Sequence, residues 1–158
     1  MKVASYVVLV VTAAVLLYAA ANDLRHYKVP NEVVLVLLGL FILYALLLRR
    51  WDSLLLDVGF ASLMFLVLLV CYARRLMGGG DVKLLAVAFL WTGVHCALPF
   101  AALMFVFSMI YLVAVRLEWV NAQEVEGRRK IAFAPSIAAA LILTFMLCLS
   151  RLNLFSGH

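Results

Sequence analysis

The chain has 158 residues, 68% of them hydrophobic, and a formal net charge of +5. Soluble domains are roughly 45–50% apolar, and small ones keep much of their surface exposed, so a mean hydropathy of +1.16 excludes a water-soluble fold and points to the bilayer as solvent. The basic residues fall in short clusters between apolar runs, where topology signals and contacts with anionic headgroups occur; no aromatic-basic surface for nucleic acid is present.

Six apolar runs follow in chain order, and each reads as a helix because backbone groups in lipid must be satisfied within the segment. The first covers residues 3–22. It is longer than a signal-peptide core and reads as a retained helix, although Ala19-Ala20-Ala21 faintly resembles a cleavage site. The second covers 33–48, the third 54–73, the fourth 82–97, the fifth 98–115 and the sixth 134–149. Only Gly93, His95 and Pro99 separate the fourth from the fifth. The expected fold is all-α, a single membrane-embedded domain over residues 1–158 with about six transmembrane helices.

The loops after the first, third and fifth runs hold Arg25, Lys28, Arg74, Arg75, Lys83, Arg116, Arg128, Arg129 and Lys130, nine of the thirteen Lys and Arg. Lys2, Arg49, Arg50 and Arg151 lie on the other side. The positive-inside rule places the nine in the cytoplasm and both termini outside. The polar stretch 116–130 reads as a solvated cytoplasmic loop.

Cys71, Cys96 and Cys148 lie far apart with no C-x-x-C pair, so they read as small buried hydrophobes, and no metal site is expected. His95 reads as structural. Trp51, Trp91 and Trp119 fall where interfacial aromatic belts occur. Gly39, Gly59 and the alanines of the first run suit close helix packing.

Of eight acidic residues, Asp23, Asp57 and Asp81 abut or enter apolar segments, where ionisable groups are costly and suggest function. Asp23 ends the first run and Asp81 opens the fourth, on the same side of the membrane; Asp57 lies near the opposite end of the third. Asp23 and Asp81 can therefore meet. Two carboxylates brought close share a proton and titrate as a unit: one acts as general base on water while the other, protonated, polarises a carbonyl. Gly78, Gly79 and Gly80 precede Asp81 and allow unusual backbone angles and close approach of another chain. Pro30 breaks the run after Asp23 and starts the next helix. Taken separately, Asp81 also fits a helix cap after a flexible turn, Asp23 a capped loop, and Lys83 a headgroup-level lysine.

The stretch Gly78-Gly79-Gly80-Asp81-Val82-Lys83-Leu84-Leu85-Ala86 resembles the G-x-G-D-x-K-L-L-A signature of type IV prepilin peptidases. The stretch Asp23-Leu24-Arg25-His26-Tyr27-Lys28-Val29-Pro30-Asn31 resembles their D-x-x-x-x-x-I-P-N motif, with Val29 where Ile is usual. Phe133-Ala134-Pro135-Ser136 is similar to their P-F-A-P-S/A segment, with Ala132 in place of the proline.

The resemblance implies an aspartic endopeptidase of the cytoplasmic (inner) membrane of a bacterium or archaeon. It would remove basic leaders from prepilin-like membrane proteins at the cytoplasmic face, just ahead of their hydrophobic segment, and use no cofactor or metal. Asp23 and Asp81 would be catalytic. Pro30, Asn31, Gly78, Gly79, Gly80, Lys83, Phe133 and Pro135 would bind or align substrate, and membrane lipids would be the other partners. Many relatives carry a loop with paired cysteines and an N-methyltransferase activity. The sequence has neither such loop nor such cysteines, so it is similar to the peptidase-only branch of tight-adherence (Flp) pili. Preflagellin-type peptidases share these motifs, and Glu118, Glu124 and Glu126 are candidates to attract a basic leader. Two other readings remain: a proton-coupled transporter, expected to carry mid-bilayer acids and duplicated halves, and a non-catalytic pilus or secretion assembly subunit.

Overall fold

The computed structural model describes residues 2–26, 29–48, 51–74, 77–117, 124–125, 128–129 and 133–155. It contains five helices: α1 (Lys2–His26), α2 (Asn31–Leu48), α3 (Trp51–Ala73), α4 (Gly79–Arg116) and α5 (Ala134–Phe155). Two two-residue strands, β1 (Glu124–Val125) and β2 (Arg128–Arg129), pair antiparallel between α4 and α5, a small departure from an all-α fold. The side chains of Glu118, Glu124 and Glu126 lie outside the described residues, as do Tyr27, Lys28, Arg49, Arg50, Arg75, Trp119 and Ala132.

Of the six transmembrane helices expected, three stand out among the described residues as long enough to cross a membrane. Ala4–His26, Leu54–Ala73 and Gly79–Ala114 are long and apolar enough to cross a membrane, whereas Asn31–Leu47 and Ala134–Cys148 are shorter apolar helices. The expected fourth and fifth runs form the single element α4, interrupted at Gly93 (φ 59°, ψ −173°). No run of polar residues forces a loop there; one glycine makes the break. Its effect on direction is large. Phe89 and Phe100 would be about 16 Å apart along a straight helix. Their ring centroids are instead 5.3 Å apart, so the chain after Gly93 folds back across the part before it.

The break has a partner in α3. The backbone N–H of Val94 donates to the Asp57 carboxylate at 3.2 Å, so a neighbouring helix supplies the acceptor that an N-cap side chain normally provides. A Cβ on Gly93 would run into that carboxylate, and its φ/ψ values belong to a region that is essentially glycine-only. Gly93→Ala is therefore expected to destabilise the protein by about 1–3 kcal/mol, read as a lower thermal midpoint in detergent. An unchanged midpoint would show that the break tolerates a side chain.

The helices pack around α4, which contacts α2, α3 and α5; α1 contacts α2 and α5. Leu16, Leu37, Leu84, Leu85, Phe100, Ile137 and Leu141 are fully buried between them. The outward faces remain apolar, with Leu55 and Leu98 each 81% exposed, as lipid-facing residues are. Hydroxyls in these helices turn back on their own backbone: Thr12 donates to the Val8 carbonyl, Ser62 to Val58 and Thr144 to Ala140, at 2.7–2.8 Å. Ala19 and Ala20 of α1 are buried as close packing requires. Gly39 and Gly59 face open space, so their expected packing role is not seen.

Two further expectations change. Trp91 is not interfacial: it is buried, its indole N–H donates to the Leu37 carbonyl at 3.1 Å, and its ring meets Phe41, Tyr44 and Phe145. Cys96 and Cys148 are not two isolated hydrophobes; they form a disulfide joining α4 to α5, leaving Cys71 as the free cysteine. Spacing in sequence could not show this pair, because only the fold brings positions 52 residues apart together.

Candidate active site

Both aspartates sit inside helix ends. α1 continues through His26, so Asp23 lies in its last turn, only 4% exposed. α4 begins at Gly79, so Asp81 lies in its first turn. Arg25 and His26 are exposed beside Asp23.

The α5 N-terminus meets Asp23. Phe133, half-buried, offers its carbonyl to the Ile137 N–H, which makes it the N-cap, and Ala134 opens the helix. The Ala134 N–H would otherwise be an unpartnered donor of the first turn; it donates to the Asp23 carboxylate at 3.2 Å. The partially positive end of α5 also favours a negative charge there. Pro135 occupies the second helical position, where the missing N–H costs nothing, and Ser136 is buried behind it.

Asp81 is held from its own side. Val82 donates to the Gly78 carbonyl, which makes Gly78 the N-cap of α4 and Asp81 its third helical residue. From there the Asp81 carboxylate accepts the Gly78 backbone N–H, as the third residue of a capping box does. The expected N-cap position for Asp81 is thus shifted by three residues. The two carboxylates lie within electrostatic reach of each other, although 58 positions separate them in sequence.

The glycines act by closeness. Among the described residues only Gly93 has a positive φ, so the unusual backbone angles expected at 78–80 are absent. A Cβ on Gly80 would come 3.2 Å from the Val29 Cβ, one on Gly79 would come 3.3 Å from the Tyr72 ring, and one on Gly78 would come 3.1 Å from the Asp81 carboxylate. Lacking side chains, they let the α1–α2 connection and Tyr72 of α3 close on the start of α4. Lys83, one turn further, donates its Nζ to Asn31 Oδ1 at 3.0 Å, and Pro30 caps α2 by accepting the Val33 N–H.

The three sequence stretches thus converge at one end of the bundle: Asp23 with Ala134, Asp81 with the glycines, and Val29–Asn31 against both the glycines and Lys83. Asp57 stays apart at Gly93, and exposed His95 is near that same break. No group of three or more His, Cys, Asp or Glu able to hold a metal occurs among the described residues. Sequence reading missed Tyr72 and the Ala134 N–H. An aromatic in an apolar run carries no signal of its own, and a backbone donor is recognised only once the helix start is placed.

Asp23, buried, and Asp81, half-buried, thus lie together at one end of an apolar bundle, where carboxylates are costly and suggest function. The model of the type IV leader peptidase family matches residues 10–113, more than half of the chain and including both aspartates. The chain belongs to the type IV leader peptidase family, a family of proteases. It is similar to the prepilin leader peptidase/N-methyltransferase of Bacillus subtilis (strain 168), at 29% identity over 139 residues, 87% of this chain and 54% of that relative. The chain therefore spans about half the length of the curated relative it matches. No solved structure matches it.

Proposed function

We propose that the chain is an aspartic endopeptidase that removes the basic leader from prepilin-like membrane precursors at the cytoplasmic face of the inner membrane. The convergence of Asp23 and Asp81 carries this reading. Sharing one proton, the ionised carboxylate takes a proton from water as the water attacks the scissile carbonyl, and the protonated one donates to the developing oxyanion. The carboxyl that took a proton from water then gives it to the leaving amine as the C–N bond breaks, while the other takes back the proton of the hydroxyl, and no covalent intermediate forms. Exposed Gly78 leaves room for substrate backbone beside the Asp81 carboxylate, Gly79 and Gly80 hold the start of α4 in place for it, Lys83 and Asn31 line the approach as a pair, and Phe133 and Pro135 align the substrate from α5. No cofactor or metal takes part. The carboxylates lie at helix ends and not at mid-helix, which favours this over proton relay across the membrane.

The domain 1–158 acts as one peptidase unit that crosses the membrane six times, α4 crossing twice by folding back at Gly93; the Phe89–Phe100 contact supports this. The Cys96–Cys148 bridge supports the orientation. Disulfides persist in oxidising compartments. Cys148 lies 14 residues beyond Ala134, about 20 Å along α5 from the Asp23 contact, and its partner Cys96 lies just past the break at Gly93. That end faces out and the aspartates face the cytoplasm. In intact cells, a membrane-impermeant maleimide is expected to label Cys96 and Cys148 only after an external reductant is added. Labelling of the unreduced thiols, or labelling only from the cytoplasmic side, would reverse the topology.

The function itself is tested by incubating the purified chain with a purified prepilin-like precursor and a methyl donor, then weighing the products. The expected product is one shorter chain starting just ahead of the apolar segment with an unmodified N-terminus. An intact precursor would contradict the peptidase reading, and a methylated product would contradict a peptidase-only unit.

A further inference from the structure

The bundle is open along one side. α2 and α3 both pack against α4 but meet each other little or not at all. Between them runs a cleft of about 470 Å³, with Val34 and Leu38 of α2 on one wall, Val58, Ser62 and Leu66 of α3 on the other, and α4 as its floor. Ten of its eleven lining residues are neither acidic nor basic, and the Ser62 hydroxyl is already committed to the Val58 carbonyl. The exception is Lys83, which lines one end. Lys83 is two residues from Asp81 and is bonded to Asn31, so the cleft opens at the level of the candidate site and runs away from it along α4 toward Leu90.

We propose that this cleft docks the apolar helix of the precursor, a proposal that rests on the leader-peptidase reading above. A precursor cut just ahead of its hydrophobic segment must place that segment beside the two carboxylates. The α2–α3 cleft is a lipid-facing depression whose Lys83 end lies two residues from Asp81. Its length matches a stretch of helix, since Val58 to Leu66 spans eight residues of α3, about 12 Å or two helical turns. Its walls match one too, since two helices resting on α4 with little or no contact between them leave room for a third apolar surface, held by packing in a medium where burial alone gives little drive. Lys83 at the mouth keeps two of its three N–H donors for polar backbone near the scissile bond. The cleft then sets the distance between the membrane-embedded part of the substrate and the bond that is cut.

The test uses the full chain in two arms. In the first, a photo-crosslinking residue replaces Ser62 in the cleft or, as a control, lipid-facing Val106 of α4, and the chain is mixed with precursor. Crosslinks from position 62 to the apolar segment, and none from 106, are expected. In the second, Ser62→Trp fills the cleft; Ser62 is exposed, so the larger ring is accommodated without repacking the core. Cleavage of the full precursor is expected to fall about tenfold in kcat/KM, chiefly through KM, while a short peptide covering only the cleavage site is cut within about twofold of the unsubstituted rate. If the unsubstituted chain cuts the precursor but position 62 crosslinks only phospholipid, or Ser62→Trp slows both substrates alike, the docking proposal is overturned and the peptidase reading stands. If the unsubstituted chain cuts neither substrate and no crosslink to the segment forms, both fall.

Discussion

Asp81→Asn is expected to lower the rate of precursor cleavage by about 10³-fold or more, as is Asp23→Asn, since each removes one of the two proton-transfer groups. That is about 4 kcal/mol or more of lost transition-state stabilisation. The two positions should differ in stability. Asn at position 23 keeps an oxygen that can accept the Ala134 N–H, so Asp23→Asn should unfold close to the unsubstituted midpoint. Asp23→Ala leaves a buried N–H without an acceptor at the start of α5, at a cost of about 1–3 kcal/mol. Asp81 accepts from Gly78 at a more exposed helix start, and its loss does not detach α5. Cleavage kinetics and thermal midpoints of the four single variants, Asp23→Asn, Asp23→Ala, Asp81→Asn and Asp81→Ala, check this. A low midpoint for Asp81→Ala with a normal one for Asp23→Ala would contradict the assignment of the α5 anchor.

Gly80→Val should be the most damaging change outside the carboxylates. Even a Cβ at position 80 would press on Val29 at 3.2 Å, and valine adds two further carbons. Overpacking of this kind costs about 1–3 kcal/mol, and here the yielding partner is the short connection that carries Pro30 and Asn31. Pushing that connection away would loosen Asn31 from Lys83 and shift α1 against α4, and with it Asp23 against Asp81. A misplacement of about 1 Å at reacting groups lowers rates by about 10²-fold, so cleavage should fall by that order while helical content is retained. Gly80→Ala should lie between the two. Full activity in Gly80→Val would mean that the closeness of Val29 to the glycines is not needed for the site.

The sequence carried much of this through acid placement and motif order. Asp23 and Asp81 stood out because carboxylates next to apolar runs are rare, and counting helices put them on one side. The resemblance linked Phe133–Ser136 to them, and the Asp23–Ala134 hydrogen bond places that segment at the pair. Helix ends were less legible. Asp23 and Asp81 were placed at the edges of their runs, whereas α1 continues through His26 and Gly78 caps α4 three residues before Asp81. The break at Gly93 was suspected from glycine, histidine and proline. Its form depends on Asp57, whose role as acceptor for Val94 has no trace in local sequence. Trp91 misled for a similar reason: tryptophan serves interfaces and cores alike, and only the Leu37 carbonyl at 3.1 Å decides between them. The disulfide was hidden because helix packing, and not spacing, makes cysteines neighbours.

Catalysis by the two aspartates is tested by leader removal in cells that express a prepilin-like precursor together with the chain, its Asp23→Asn form or its Asp81→Asn form. Membrane levels of all three are matched, and precursor length is read by mass. A shortened precursor is expected with the unsubstituted chain and the full-length precursor with each variant. Shortening by either variant at the unsubstituted rate would contradict catalysis by this pair of aspartates.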